Sequence, residues 1–244
     1  MVIDPADVGC TDVKWSGAVR IIRSVHPPID LFEDIADPAD WPLLIAAEQK
    51  TNPRLMETIG NLDQVPEPRR VSGPGASYLM ASFTHFSPDR DSRFSDGTFG
   101  VLYIASDFET ALYETTYHHA AFMARTDEPP GWTSQFREIV LGVAGHLHEL
   151  RHLPQYLSGV LDANDYTTSQ SLGGTLRGAG SEGVIYPSVR GQGDCVGLFY
   201  PDLALGPTQG RHLDYHWDGA RVDLFRDRTS GDVFRIDHEA SPSG

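Results

Sequence analysis

The segment Ser92–His119, SRFSDGTFGVLYIASDFETALYETTYHH, sets a loop, a strand and a helix in immediate succession and so constrains how this part of the chain folds. Val101–Ala105 (VLYIA) is the short apolar run of a buried strand, and Ser106 with Glu109 three residues later has the pattern of a capping box. The spacing predicts a helix to about Met123. Phe108, Ala111, Leu112, Thr115, His119 and Phe122 recur at i, i+3, i+4, i+7 as its buried stripe. Glu114 falls at the flank of that stripe, where a carboxylate can face a cleft. A loop arginine (Arg93), a strand tyrosine (Tyr103) and this glutamate can therefore converge on one rim.

The charge balance narrows the partners. Lys and Arg number 19 against 34 Asp and Glu, a formal net of -15. Such a chain repels nucleic acid backbones and anionic membranes, so direct DNA binding is disfavoured and a basic protein partner is allowed. Two cysteines, Cys10 and Cys195, give neither a disulfide framework nor a CxxC pair, which fits a reducing, cytoplasmic setting. The start MVIDPADVGC lacks a cationic and apolar leader, and no run approaches the roughly 18 apolar residues of a membrane span. The expectation is a soluble protein with no membrane role. Its 244 residues suit one large domain.

Along the chain, Ala18–Ile22 reads as a first strand stopped by Pro27 and Pro28, with short helical pieces at Ile29–Ile35 and Trp41–Gln49. Tyr78–Phe83 (YLMASF) fits either a strand or a short helix. Arg137–Val143, Gly183–Ser188 (GVIYPS) and Cys195–Tyr200 (CVGLFY) are strand candidates, and from His212 onward LDYHW, RVDLF and VFRI read as a meander with turns at DG and TSG. The glycine-rich LGGTLRGAGSEG reads as a flexible or tightly turning loop, since it has neither the GxGxxG order nor a GK[ST] ending. Strands scattered among helices without βαβ regularity indicate α+β.

Singly, each site candidate has a duller reading: Arg93 as a surface charge, Tyr103 as a core aromatic, Glu114 as a solvated helix residue, Ser188 as a turn serine. Together they suit a phosphorylated ribosyl ligand. Arginine would hold the diphosphate, the tyrosine ring an aromatic base, and the glutamate a ribose hydroxyl and developing positive charge. The competing motif is His148–His152, HELRH, which matches HExxH. Zinc binding by that motif needs a helix so that both imidazoles point at one metal, whereas the preceding REIVLGVAG is strand-like and Pro154 follows at once. No metal site is expected. Cys195 has no evident local base and is a weak candidate nucleophile.

This arrangement resembles the RES-domain family, named for its Arg, Glu and Ser. The resemblance rests on SRFSDGTFGVLYIASDFETALYETTYHH and GVIYPS, with VRIIRSVHPPIDLFEDI, TNPRLMETIG and GPGASYLMASFTHF, and covers about residues 18–203 of a single domain spanning 1–244. It implies that Arg93, Glu114 and Ser188 are the name-giving catalytic residues. Arg20, Arg93, Tyr103 and Ser188 would bind the substrate, and Arg23 competes with Arg20. The implied fold is like that of ADP-ribosyltransferases, a two-sheet β core flanked by helices, and residues 204–244 would form a β-rich extension. The implied activity consumes NAD by cleaving its nicotinamide–ribose bond, as glycohydrolase, phosphorylase or ADP-ribosyltransferase. The implied context is the toxin of a toxin–antitoxin module whose Xre-family antitoxin supplies any DNA contact. Two other classes stand beside this expectation: an HExxH-type zinc hydrolase, and a non-catalytic partner of an Xre-type regulator.

Overall fold

The computed structural model describes residues 5–34, 37–48, 50, 55–89 and 91–237. Among these residues, eight strands and six α-helices are arranged in the order β1 (Cys10–Arg23), α1 (Asp30–Glu33), α2 (Trp41–Glu48), α3 (Leu55–Ile59), α4 (Ala76–Thr84), β2 (Leu102–Ala105), α5 (Phe108–Met123), β3 (Thr133–Glu149), α6 (Thr167–Gly178), β4 (Gly183–Pro187), β5 (Asp194–Leu198), β6 (Ala204–Trp217), β7 (Val222–Asp227) and β8 (Val233–Arg235). The protein is α+β, with one mixed sheet and helices on its faces.

The strands form two leaves. In one, β1 runs antiparallel to β3 along most of its length, and β6, β7 and β8 follow on the other edge of β3. In the other, β5 lies between β2 and β4, antiparallel to both. The leaves are joined only narrowly, through Val19 opposite Ala105 and through His148 and Glu149 beside Val184 and Ile185. Because β1 and β2 meet at a single pair, they diverge on either side of it. That divergence creates the cleft.

Two apolar clusters fill the faces of these leaves. One gathers Val19, Ile21, Ala111, Leu112, Leu172, Leu176, Val184, Tyr186 and Cys195 beneath α5 and α6. The other gathers Phe32, Trp41, Leu79, Met80, Leu102, Ile104, Ile185 and Val196 beneath α1, α2 and α4. Successive residues of β2 and β4 alternate between the two, so both faces of each strand are covered. This explains why VLYIA and GVIYP read as unbroken apolar runs rather than as alternation.

The strand candidates are all present, several longer than their apolar runs: the first extends back to Cys10 and the third over 17 residues. Tyr78–Phe83 lies in helix α4. Ile35 and Gln49 fall outside the described residues. Three expectations are corrected. The cap of α5 is Asp107, whose carboxylate accepts the Thr110 N–H, while Ser106 donates to that carboxylate. The buried side of α5 includes Thr116 and Met123, whereas Phe122 is 48% exposed. LGGTLRG is not a loop but most of α6. Its Gly173 sits where a Cβ would come within 2.0 Å of the Phe94 carbonyl oxygen, so this glycine permits close packing rather than a turn. Among the described residues, no helix is long and apolar enough to cross a membrane.

Candidate active site

A cavity of about 380 Å³ opens between β1, β2, α5 and the loop before β2, and Arg20, Arg93, Tyr103 and Glu114 all line it. Ligand pockets of small molecules are commonly of this size or larger.

Arg93 is placed by its neighbours. Phe94 is fully buried and meets Tyr186 edge-on at 5.0 Å, an anchor worth about 1.5–3 kcal/mol of apolar burial. The Tyr103 hydroxyl accepts the Phe94 N–H at 2.9 Å and shares a hydrogen bond with Ser92 Oγ at 2.9 Å, so it grips the residues on both sides of Arg93. The guanidinium donates to the Asp162 carbonyl at 2.7 Å and lies 4.4 Å from the centre of the Tyr166 ring. Burial pushes Tyr103 up to about 12, so its hydroxyl stays protonated at neutral pH.

Arg20 enters where β1 and β2 part. It donates through Nη1 to the Tyr103 carbonyl at 2.9 Å and through Nη2 to Ser82 Oγ at 3.0 Å. Burial lowers it to about 10, still charged at neutral pH. Arg23 points elsewhere, with its guanidinium 5.3 Å from the Phe122 ring, so the first-strand arginine of the cavity is Arg20.

Glu114 reaches the cavity from α5. Ser188, just after β4, donates to its Oε1 at 2.6 Å, and His118 one turn along α5 stands 3.8 Å from Oε2. Ser188 is not among the cavity-lining residues and touches the site through Glu114. Burial pulls His118 below the usual imidazole range. Glu114 opposes that shift, and Arg190 and Arg93 add to it. The opposite wall carries Tyr186 and Cys195, and burial raises both well above their usual ranges, so the Cys195 thiol is not primed as a nucleophile.

Sequence reasoning therefore identified the residues that meet here and missed some of their supports. His118 was legible as the i+4 partner of Glu114 on a helix. Tyr166 and the Asp162 carbonyl carried no signal, because they lie some seventy residues away in the segment before α6.

The HELRH motif has a different geometry. His148 and Glu149 end β3 and His152 follows in a turn, so the helical spacing that would aim both imidazoles at one ion is missing. His148 Nδ1 is bonded to Ser181 Oγ at 2.9 Å, and Glu149 is bound by Arg151. Among the described residues, no group of three or more His, Cys, Asp or Glu side chains could hold a metal.

The site is thus a cavity of an α+β protein lined by two arginines and by a glutamate that Ser188 holds. The chain belongs to the RES-domain family, whose model matches residues 67–218 and so includes Arg93, Glu114 and Ser188. It is 30% identical over 206 residues to "Uncharacterized protein y4oC" of Sinorhizobium fredii, covering 84% of each chain. Among solved structures, a chain of the M. tuberculosis MbcT-MbcA toxin-antitoxin complex matches 84% of this chain and 88% of its own. Its identity is 14% and the TM-score 0.42.

Proposed function

We propose that this protein binds NAD in the cleft and cleaves its nicotinamide–ribose bond, acting as the toxin of a toxin–antitoxin pair. The observation that carries the reading is the convergence of Arg20, Arg93 and Glu114 on one cavity of a chain whose net charge is -15. Two guanidinium groups give an anionic diphosphate a local welcome that the protein as a whole does not.

The chemistry asks little else of the protein. When the C1′–N bond breaks, its electron pair neutralises the pyridinium, so nicotinamide leaves without a general acid. The barrier lies in the oxocarbenium-like ribosyl cation. A carboxylate held in place before the reaction stabilises charge that exists only in the transition state. Ser188 fixes one Glu114 oxygen, and the other stands 3.8 Å from His118, itself a residue of the cavity lining. An acceptor then captures C1′: water in a glycohydrolase, phosphate in a phosphorylase, a side chain or nucleotide in an ADP-ribosyltransferase.

The RES-family membership supports the toxin context, and an enzyme that drains a central cytoplasmic cofactor needs a restraint. The proposed restraint is a small Xre-type antitoxin covering the cleft near Arg20, Arg93 and Glu114. Because this chain carries a net charge of -15, the antitoxin would bring any DNA contact.

Incubating the purified protein with NAD and identifying products by mass tests the activity and names the acceptor. Nicotinamide release is expected, and Glu114→Gln should lower it by at least about 100-fold while leaving the fold intact. Intact NAD with the folded wild-type protein overturns the reading. In cells, expression without a partner should arrest growth and deplete NAD, and Glu114→Gln should do neither.

A further inference from the structure

A second hollow, of about 470 Å³, lies along α4, and Arg20 forms part of the wall of both. The two bonds of its guanidinium go to one wall each. Nη1 is bonded to Tyr103, a residue of the first wall, and Nη2 to Ser82, a residue of the second. A guanidinium carries five N–H donors, and these two bonds engage two of them. Its Nε is buried and bonded to nothing among the described residues. Buried donors of this kind normally have a partner, and a charged one is best matched by an anionic oxygen.

We propose that the dinucleotide is divided across Arg20: the nicotinamide riboside half in the Glu114 cavity, the adenosine half in the α4 cavity, and the diphosphate on the guanidinium between them. This rests on the NAD reading above and adds where each half lies. The reacting ribose must sit beside Glu114, which assigns the first cavity. A dinucleotide has two halves of comparable bulk, and the structure offers two hollows of comparable volume that share one cation in their walls. The α4 cavity also has the chemistry a purine nucleoside needs. Its lining includes the rings of Tyr78, His26 and His85, the apolar side chains of Ile22 and Ala81, and Glu57, whose carboxylate can accept from ribose hydroxyls or an amino group. The neighbouring Arg137, 5.9 Å from the Tyr78 ring centre, adds positive charge on that side.

The test separates the halves by calorimetry on the full chain, with AMP and nicotinamide mononucleotide as probes. Ala81→Trp, which fills the α4 cavity, should weaken AMP by at least about 10-fold and leave nicotinamide mononucleotide within about 2-fold. Tyr78→Ala removes a ring without filling space and should move AMP in the same direction by about 10-fold, the scale of one lost stacking partner. It keeps the inference testable should Ala81→Trp fail to fold. Unchanged AMP affinity in the folded variants, with NAD still bound and consumed, overturns the division and leaves the NAD reading standing. Equal weakening of both mononucleotides also overturns it. If the wild-type protein neither binds nor consumes NAD, the underlying reading fails first, and the division with it.

Discussion

Ser188 Oγ donates to Glu114 Oε1 at 2.6 Å and accepts the backbone N–H groups of Arg190 and Gly191 at 3.1 and 2.8 Å. A hydroxyl has one proton and two lone pairs, and all three are engaged. The serine thus ties the turn after β4 to the carboxylate on α5.

Ser188→Ala should therefore act through Glu114. NAD turnover is expected to fall by about 10- to 100-fold with little change in KM, on the scale of a misplaced electrostatic group. The two N–H groups would also lose their acceptor, costing about 1–3 kcal/mol of stability. Ser188→Thr, which keeps the hydroxyl, should recover part of both. Steady-state kinetics and denaturant unfolding check this, and an unaltered kcat in Ser188→Ala would remove the serine from the mechanism.

Arg20 and Arg93 are expected to anchor the diphosphate. Each alanine variant should weaken NAD binding by about 1.5–3 kcal/mol, the range for hydrogen bonds to charged groups. Lysine should restore only part of it, because an ammonium lacks the planar fork. Isothermal titration measures this directly. Unchanged affinity in both alanine variants would place the anchor elsewhere.

His119 makes the fold sensitive to acid. It packs edge-on against Phe136 at 4.9 Å, and burial, with Arg23 adding to it, lowers it to about 4. An unfolded chain titrates its histidine near 6.5. The folded state binds this proton less well, so the stability from neutral His119 is complete above about pH 6.5 and is lost as pH falls toward 4. Thermal midpoints across that window should decline in the wild type and less in His119→Phe. Parallel curves for the two proteins would show that the titration lies elsewhere.

Gly173 and Gly174 are adjacent in α6 and should respond oppositely to alanine. At Gly173 the new Cβ meets the Phe94 carbonyl oxygen at 2.0 Å, while at Gly174 nothing lies within 4 Å. Gly173→Ala should cost at least about 1–3 kcal/mol and, by displacing Phe94, weaken NAD binding through Arg93. Gly174→Ala should be neutral or stabilising by up to about 1 kcal/mol. Equal stabilities of the two variants would disprove the close contact.

The sequence by itself determined the local elements and named the side chains that were expected to form the site. VLYIA had to be a buried strand and the segment after Asp107 a helix, because apolar runs and periodicity are local properties that survive without tertiary context. The RES pattern likewise marked Arg93, Glu114 and Ser188 before any packing was known. Tertiary structure decided what long-range contact alone can decide. LGGTLRG is helical although glycine opposes a helix, because close approach to Phe94 and burial of Leu172 and Leu176 outweigh the propensity cost. Arg20 rather than Arg23 meets the cavity, because the parting of β1 from β2 after a single bridging pair leaves the Tyr103 carbonyl for a side chain to satisfy. The pairing of Ser188 with Glu114 spans 74 residues and depends on how the turn after β4 reaches α5, which no spacing along the chain encodes.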